Sequence, residues 1–430
     1  MKKRLLAVLF GASAMGAVLW GCKKADTFTV KRMMEVKVPV RPENPEDYDG
    51  WRAYLEENGL AEEELEKIRS FSWRTSSFLM KDTEENESYS PISLYMALSL
   101  AASGAENETQ AELLRLLGAD NKENLAEQCR KLYNSLYLDG TESAEGNKSR
   151  RKLASSVWMD DDMEFKEDFL KTAQKDFYSS LYTVDFSEEQ TAWAMENWVK
   201  EETEGLISPQ MKANPEQVMS ILNAVYFYDE WVDCFSEKNT KPDLFYKEGA
   251  AEESIETDFM NREASGSFAK SDGFLRAELS LKESGSMVFV LPEKGREVDS
   301  LLEDGETLRE AFFGGTDFFG TITWKIPKFS FGRKYDLKEA LEMLGVSSAF
   351  GENADFSAMT EDKVWIDSIR QETHIGINEK GVEAAAYTEL MYAGAGMPQE
   401  HADMILNRPF LYAVMSRENL PLFVGVYRGE

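Results

Sequence analysis

The sequence predicts an α+β fold formed by one large domain that begins near residue 65. Residues 221–227 (ILNAVYF) and 286–292 (SMVFVLP) are short runs rich in apolar and β-branched residues. Such runs are typical of strands that are buried on both faces. Between residues 65 and 79, apolar side chains instead recur at the spacing of an amphipathic helix. No internal repeat, low-complexity tract or linker follows residue 65, so we expect the helices and strands to share one core.

Composition argues against several classes of function. Of the 430 residues, 43% are hydrophobic and 12% aromatic, as in a globular protein. A net charge of −30 favours a well-solvated surface and argues against a nucleic-acid partner. There are only two histidines, His374 and His401, and no HExxH, CxxC or phosphate-binding loop, so we expect no catalytic residues, metal or cofactor. Cys129 and Cys234 are expected to be core thiols, with a disulfide between them as the alternative.

The N-terminal 22 residues have the pattern of a secretory signal peptide. Three basic residues at positions 2–4 precede an apolar run that is too short to span a membrane comfortably. The run ends in LWGC, which resembles a bacterial lipobox except that Trp20 stands where a small residue is usual. The resemblance implies that Cys22 is lipidated and anchors the protein outside the cytoplasm to a bacterial membrane. The alternative is a plain signal peptide with an incidental cysteine and a secreted protein.

Residues 23–64 are predicted to be a tether and N-terminal extension, followed by the domain at 65–430. Six basic residues and three prolines occur between positions 23 and 45. They predict a solvated spacer, with contact to anionic lipid as the alternative. Residues 51–60 are predicted to form a short helix, to which the sequence assigns no role.

Within the domain, helix and strand signals alternate along the chain. Ser90-Pro91 marks the start of a second helix, because proline suits the first helical turn, and Gly104 marks its end. A third helix is expected at 109–114, a strand–helix–strand at 153–186, and further strands at 324–330, 364–378, 410–415 and 422–427.

Residues 379–410 have an unusual pattern. A charged turn, Glu379-Lys380-Gly381, is followed by a run of small residues and a glycine-rich stretch at 393–396. With a period of two, one face of the run is small and the other is larger or charged. This predicts a strand that can enter a tightly packed sheet, joined to a long exposed loop. An ordinary surface loop with an alanine run is the alternative. The small face is Val382, Ala384, Ala386 and Thr388, and the other is Glu383, Ala385, Tyr387 and Glu389.

In their order and spacing, these segments resemble the serpin family over about residues 65–429. The resemblance implies a serpin fold with about three mixed β-sheets, eight or nine helices and an exposed reactive-centre loop. Tyr228-Asp229 replaces the usual Lys-Gly, which we expect to change a turn and not the sheet. The matching motifs are Asn86 with Ser90-Pro91-x-Ser93, residues 221–227 leading to Trp231, Phe235, Thr240 and Phe245, Pro327-Lys328-Phe329, residues 354–357, and the hinge.

The implied function is inhibition of a serine, or alternatively a cysteine, protease by a monomer that acts as a suicide substrate. The protease attacks the loop and forms a covalent acyl-enzyme, and the cut loop inserts into the central sheet. The inward face of the inserted strand must be small, and proline would be excluded because it cannot donate to a central ladder. The implied hinge residues are Glu379, Gly381, Val382, Glu383, Ala384, Ala385, Ala386 and Thr388.

Two clusters carry over from the resemblance, although each member also reads as ordinary core or helix capping. Trp231, Thr240 and Lys328 are expected to lie with Glu379 where the sheet opens, with an ion pair between Lys328 and Glu379. A mid-sheet polar cluster is the second. It comprises Ser90, Ser93, Asn223 and Gln371. Gln371 stands where the family has histidine. Glutamine can still donate and accept hydrogen bonds, but the pH response of a histidine is lost.

Two rival functions remain open on the sequence. One is a non-inhibitory serpin-fold binding module on the cell surface, which the small hinge residues disfavour. The other is an unrelated surface enzyme, which the lack of histidine-rich, metal or nucleotide motifs disfavours.

Counting from Glu379 as the first position, the seventeenth is Ala395, so the predicted scissile bond is Ala395–Gly396. Small residues before the cut would suit an elastase-like protease. Met391 or Tyr392 would instead suit cathepsin-like or chymotrypsin-like enzymes. We expect mass spectrometry of the cleaved protein to locate the cut at Ala395–Gly396, and a cut outside residues 391–397 would contradict this register.

Overall fold

A computed structural model describes residues 30–33, 36, 39, 41–42, 47–139, 149–247, 253–382 and 400–429. The predicted lipidation site and most of the predicted reactive loop lie outside the described residues. They are Cys22, Glu383, Ala384, Ala385, Ala386, Thr388, Ala395 and Gly396.

Nine α-helices occur in the described part of the chain, which confirms the expected number. They are α1 (Tyr48–Asn58), α2 (Glu62–Met80), α3 (Pro91–Gly104), α4 (Asn107–Leu117), α5 (Lys122–Leu136), α6 (Glu167–Asp176), α7 (Glu189–Glu202), α8 (Gly305–Phe313) and α9 (Lys338–Met343).

Seventeen strands occur in the same ranges. They are β1 (Lys31–Arg32), β2 (Glu87–Tyr89), β3 (Leu138–Asp139), β4 (Arg150–Asp160), β5 (Ser180–Val184), β6 (Met219–Glu230), β7 (Lys241–Tyr246), β8 (Ser254–Lys270), β9 (Phe274–Ser280), β10 (Gly285–Pro292), β11 (Thr316–Pro327), β12 (Phe329–Asp336), β13 (Ser368–Asn378), β14 (Gly381–Val382), β15 (Glu400–Ile405), β16 (Phe410–Ser416) and β17 (Pro421–Tyr427).

Eight of these strands form the central sheet, in the order β1-β5-β4-β6-β14-β13-β12, with β3 paired to β4. The sheet is mixed, because β6 is antiparallel to β4 and parallel to β13. The other nine strands are continuous in the order β15-β11-β8-β9-β10-β16-β17-β2, with β7 on β8. Strand β8 pairs with β9 only at Phe268, Ala269 and Lys270, so it joins two sheets at its end. The α+β fold with about three mixed sheets is thus confirmed.

Helix α3 lies between the sheets. It contacts β6 and β4 of the central sheet and β17 of the other strand network. Nearly all of its side chains are buried, as expected of a helix that is apolar all round. It starts at Pro91 and ends at Gly104, as the sequence predicted.

Two local predictions differ from the structure. Strand β13 starts at Ser368, not at residue 364, because the Asp367 carboxylate turns to accept a hydrogen bond from the Val218 N–H at 2.8 Å. Tyr228 and Asp229, predicted to lie in a turn, belong to β6, which continues to Glu230. The lengthened β6 reaches the place where the chain leaves β13.

The described residues of the extension contact the domain, in contrast to the expected solvated spacer. Strand β1 pairs with β5 and extends the central sheet. Helix α1 packs on α5, where the backbone carbonyl of Asn134 accepts from Tyr54 Oη at 2.9 Å and from Arg41 Nη2 at 2.7 Å. The Asn134 side chain donates to Asn58 Oδ1 and accepts from Tyr178 Oη, both at 2.6 Å. Among the described helices, none is both long and apolar enough to cross a membrane.

We expect Asn134→Ala to lower the free energy of unfolding by about 2 kcal/mol, since it leaves the buried Asn58 oxygen and the Tyr178 hydroxyl without these bonds. Urea unfolding of the intact protein measures the change. Asn197→Ala is the control, because its amide donates to the Trp193 carbonyl of the same helix at an exposed position. Equal effects of the two substitutions would show that the Asn134 side chain does not help to join α1 to the domain.

Candidate functional site

The site is the end of β13, where the chain turns back into the central sheet. Glu379 and Lys380 form the turn, stabilised by the Lys380 N–H, which donates to the Asn378 side chain at 2.9 Å. Strand β14 then lies between β13 and β6, antiparallel to both. Val382 faces Ile377 on one side and Asp229 on the other, and its side chain is buried in the main core.

Strands β6 and β13 are parallel, and their C-terminal ends are called the top of the sheet. The two strands are separated at the top and paired directly nearer their N-terminal ends. Their direct ladder runs from Ser220 and Ser368 to Ala224 and Glu372, where it stops. Strand β14 covers only the last two positions, Asp229–Glu230 of β6 and Ile377–Asn378 of β13. Residues 225–228 and 373–376 lie between these ladders and are not paired with each other.

Gly381 fits this position because the backbone of β6 approaches it closely. A Cβ atom at Gly381 would lie 2.2 Å from the Asp229 carbonyl oxygen and 2.7 Å from the Glu230 Cα. Any side chain would therefore push β14 away from β6.

The structure brings together the four residues predicted where the sheet opens. Glu379 Oε1 accepts from Thr240 Oγ1 at 2.7 Å and from Lys328 Nζ at 3.1 Å, which confirms the predicted ion pair. The indole Nε1 of Trp231 donates to the Asn378 carbonyl at 2.9 Å, just before the turn. All four side chains thus contact the end of β13 or its turn.

The pKa of Glu379 reflects two opposing effects. Burial by itself raises the pKa of this carboxyl, but hydrogen bonds from Thr240, from the backbone N–H of Glu379 and from Lys328, together with the Lys328 charge, outweigh burial. The pKa of Glu379 therefore lies below its ordinary value of 4.5, and the ionised form is the one that the site stabilises.

The predicted mid-sheet cluster is also assembled, between the start of α3 and the joined part of β6 and β13. Gln371 Oε1 accepts from the Ser90 N–H at 3.0 Å, and Gln371 Nε2 donates to the Ser90 carbonyl at 2.9 Å. Asn223 Nδ2 donates to the Ser93 carbonyl at 2.7 Å, and Ser93 Oγ donates to Asn223 Oδ1. Gln371 uses both its donor and its acceptor, as the sequence predicted for a residue that replaces histidine.

Ser90 contributes through its backbone. Its hydroxyl is buried and has no hydrogen-bond partner among the described residues. Each of the two strands is therefore bonded to α3 separately, β13 through Gln371 and β6 through Asn223.

Sequence reasoning missed the backbone contacts that hold the turn. The N–H of Trp231 donates to the Lys380 carbonyl at 2.8 Å, and the N–H of Phe235 donates to the Glu379 carbonyl at 2.7 Å. Backbone bonds of this kind have no signature in residue type. Sequence reasoning also missed Asp229, whose only signal was its departure from the usual glycine.

The two histidines lie in different strand networks. His374 lies on β13, and His401 lies on β15 in the other strand network. The same nitrogen of His401, Nε2, faces both Thr323 and Asp403, whereas a triad uses both ring nitrogens. In the ranges that the structure describes, no group of three or more histidine, cysteine, aspartate or glutamate side chains could hold a metal ion. Cys129 and Cys234 are free thiols, so the alternative of a disulfide between them is wrong.

Comparisons with known proteins agree with this architecture. A family model described as Serpin (serine protease inhibitor) matches residues 66–428. Serpin-Z1A of Triticum aestivum is 28% identical over 372 residues, which cover 80% of this chain and 90% of that protein. The thermophilic serpin tengpin in its native state has a TM-score of 0.79 at 24% identity, covering 93% of this chain and 100% of that one. In its latent state the TM-score is 0.71, also at 24% identity, covering 86% and 99%.

Because the folded-state pKa of Glu379 is depressed, its ionised form stabilises the fold above pH 4.5, and this stabilisation is lost as the pH falls through the folded-state pKa. We expect Glu379→Gln to lower the melting temperature at pH 7. The difference from the unsubstituted protein should shrink below pH 4.5 and disappear below the folded-state pKa. Differential scanning calorimetry from pH 7 downward measures it.

The control is Glu361→Gln, which removes an 85% exposed carboxylate from an ion pair with Lys166. Exposed pairs contribute little, so its melting temperature should stay close to that of the unsubstituted protein. A difference for Glu379→Gln that stays constant down to acid pH would contradict the assignment.

Proposed function

This chain belongs to the serpin family, and we propose on that basis that it inhibits serine proteases as a suicide substrate. A protease cleaves the reactive loop and becomes attached as an acyl-enzyme. The freed N-terminal part of the loop then enters the central sheet as a new strand and moves the attached protease away from its starting position.

The observation that carries the proposal is the central sheet, which is open at the top and closed below. Strand β14 already occupies the top of the position between β6 and β13. Farther down the two strands pair directly, so no strand lies between them there. The sheet therefore has a partly filled strand position that the loop can extend.

The register of β14 shows what insertion would require. Continued residue by residue, the same register would bring Ala384 between Phe227 and Ile375, and Ala386 between Val225 and Thr373. These are buried positions of β6 and β13, so the small face of the hinge would point into the core. Beyond that, Thr388 would lie between Asn223 and Gln371, and the direct ladder would have to separate.

The free energy released supports an irreversible step. A dozen inserted residues at about 1 kcal/mol net per hydrogen bond give on the order of 10 kcal/mol. Burial of the inward side chains adds to this figure. Five parallel residue pairs between β6 and β13 would be lost, and antiparallel pairs on both sides of the new strand would replace them.

The target and location are further parts of the proposal. Ala395 before the cut favours an elastase-like serine protease. The LWGC sequence ending at Cys22 favours a lipid anchor on the outer side of a bacterial membrane. We take the inhibitor to be a monomer, since one loop and one central sheet suffice for the mechanism.

We expect the protein to form an SDS-stable complex when mixed with pancreatic elastase. We also expect cleavage of the loop by a protease that is not trapped to raise the melting temperature, because the inserted strand completes the sheet. Gel electrophoresis and calorimetry of the intact and nicked forms test both points. Simple cleavage by every serine and cysteine protease tried, with no change in melting temperature, would instead support a non-inhibitory binding module.

A matched pair of variants separates insertion from loop recognition. Ala386→Glu brings a charge to the inward face of the hinge, and we expect this variant to be cleaved without forming a complex. Ala385→Glu places the same charge on the outward face, beside Glu383, and should keep complex formation. Equal behaviour of the two variants would mean that the period-two assignment of the hinge is wrong.

A further inference from the structure

Asp229 is a completely buried carboxylate beside the hinge. It lies on β6 directly opposite Val382, and its side chain has 0% exposure. The resemblance to serpins gives no reason for a charge here, because the family usually has Lys-Gly where this chain has Tyr228-Asp229. A buried carboxylate is strongly unfavourable unless hydrogen bonds or an opposite charge compensate it.

Four donors compensate it. Asp229 Oδ1 accepts from Ser149 Oγ at 2.5 Å and from the Glu230 N–H at 2.8 Å. Asp229 Oδ2 accepts from the N–H groups of Glu283 and Ser284 at 3.1 and 2.7 Å. Hydrogen bonds to a charged group are stronger than those between neutral groups, so these four bonds attach Asp229 strongly to its partners.

A buried cation lies on the neighbouring strand. Arg151 on β4 is 9% exposed, and burial lowers its pKa to about 10 while the charge of Asp229 acts in the opposite direction. The carboxylate therefore has a compensating positive charge close by as well as its four donors.

The connection joins β6 to the other strand network. Glu283 and Ser284 form the turn between β9 and β10. That turn is held against β16, since a Cβ atom at Gly285 would lie 2.3 Å from the Met415 carbonyl oxygen. Beside it, the Lys282 N–H donates to the Glu230 carbonyl at 3.0 Å, and Lys282 Nζ donates to Glu230 Oε2 at 2.7 Å. The top of β6 is thus attached to a part of the molecule outside the central sheet.

We propose that Asp229 is a positioning residue for loop insertion, holding the top of β6 away from β13 so that Gly381 and Val382 keep their place between them. Two strands with a third between them lie about 9–10 Å apart, whereas paired strands lie about 4.8 Å apart. Because the top is already separated, insertion only has to part the lower ladder, and it starts without delay. The proposal rests on the inhibitory function proposed above.

The first test needs no protease. Asp229→Asn keeps the shape but places an NH₂ group where an oxygen accepts from backbone N–H or hydroxyl donors. We expect amide exchange of the peptide covering residues 379–382 to become about tenfold faster or more, as charged hydrogen bonds are lost. Exchange in β17 should stay unchanged. Faster exchange in both segments by the same factor would reduce Asp229 to a general stabiliser of the fold.

The second test measures the stoichiometry of inhibition with a protease that the unsubstituted protein traps. We expect it to rise severalfold in Asp229→Asn, because slower insertion lets the acyl-enzyme hydrolyse. Ser149→Ala removes one donor, keeps the carboxylate, and should shift both readouts less in the same direction. Asp317→Asn, at an 81% exposed carboxylate, is the control.

The outcomes separate the two proposals. Absence of any covalent complex with the unsubstituted protein would overturn the inhibitory function. The exchange experiment would still report whether Asp229 keeps Gly381 and Val382 between β6 and β13. Normal complex formation with an unchanged stoichiometry in Asp229→Asn would overturn the role of Asp229 alone.

Discussion

The central sheet depends on one constraint: β6 and β13 are kept apart at one end and paired at the other. At the upper end Val382 lies between Ile377 and Asp229, and the lower ladder joins residues 220–224 to 368–372. Parallel strands with polar backbone groups facing each other gain free energy from any strand that fits between them. In the proposed mechanism, filling this position supplies the free energy, and the surrounding contacts hold its two sides in place until the loop is cut.

Those contacts act on the two strands separately. The start of helix α3 is hydrogen-bonded to β13 through Gln371 and to β6 through Asn223. These contacts are polar although they are buried between the helix and the sheet. Polar contacts have defined partners, so they set the register of both strands on one helix end. At the upper end, Glu379 is held by Thr240 and Lys328, while Asp229 attaches β6 to the β9–β10 turn. At the far edge, β1 extends the same sheet and α1 packs on α5, so the N-terminal segment belongs to the structural unit whose sheet is proposed to expand.

Much of the fold could be predicted because the relevant signals are local. The apolar runs at 221–227 and 286–292 form β6 and β10, and Pro91 and Gly104 bound α3. The boundaries that failed were set by distant partners. Strand β13 starts late because Asp367 caps the start of β6, and β6 runs past Tyr228 because β14 and the β9–β10 turn give its last residues partners. Neither partner is near in sequence, so neither leaves a local signal.

By itself, the sequence determined the α+β class and a segment at 382–388 whose alternate residues are small, because composition and period-two spacing are properties of a chain segment. The sequence indicated the family through the order and spacing of its motifs, which resemble those of serpins. It also indicated which residue types would meet where the sheet opens, including the Lys328–Glu379 pair. Only the tertiary structure decided that Gly381 and Val382 already lie in the sheet, that Ser90 acts through its backbone, and that Asp229 is buried among four donors. These facts depend on how strands from distant parts of the chain approach each other, and distances between such strands are not encoded in any single stretch of sequence.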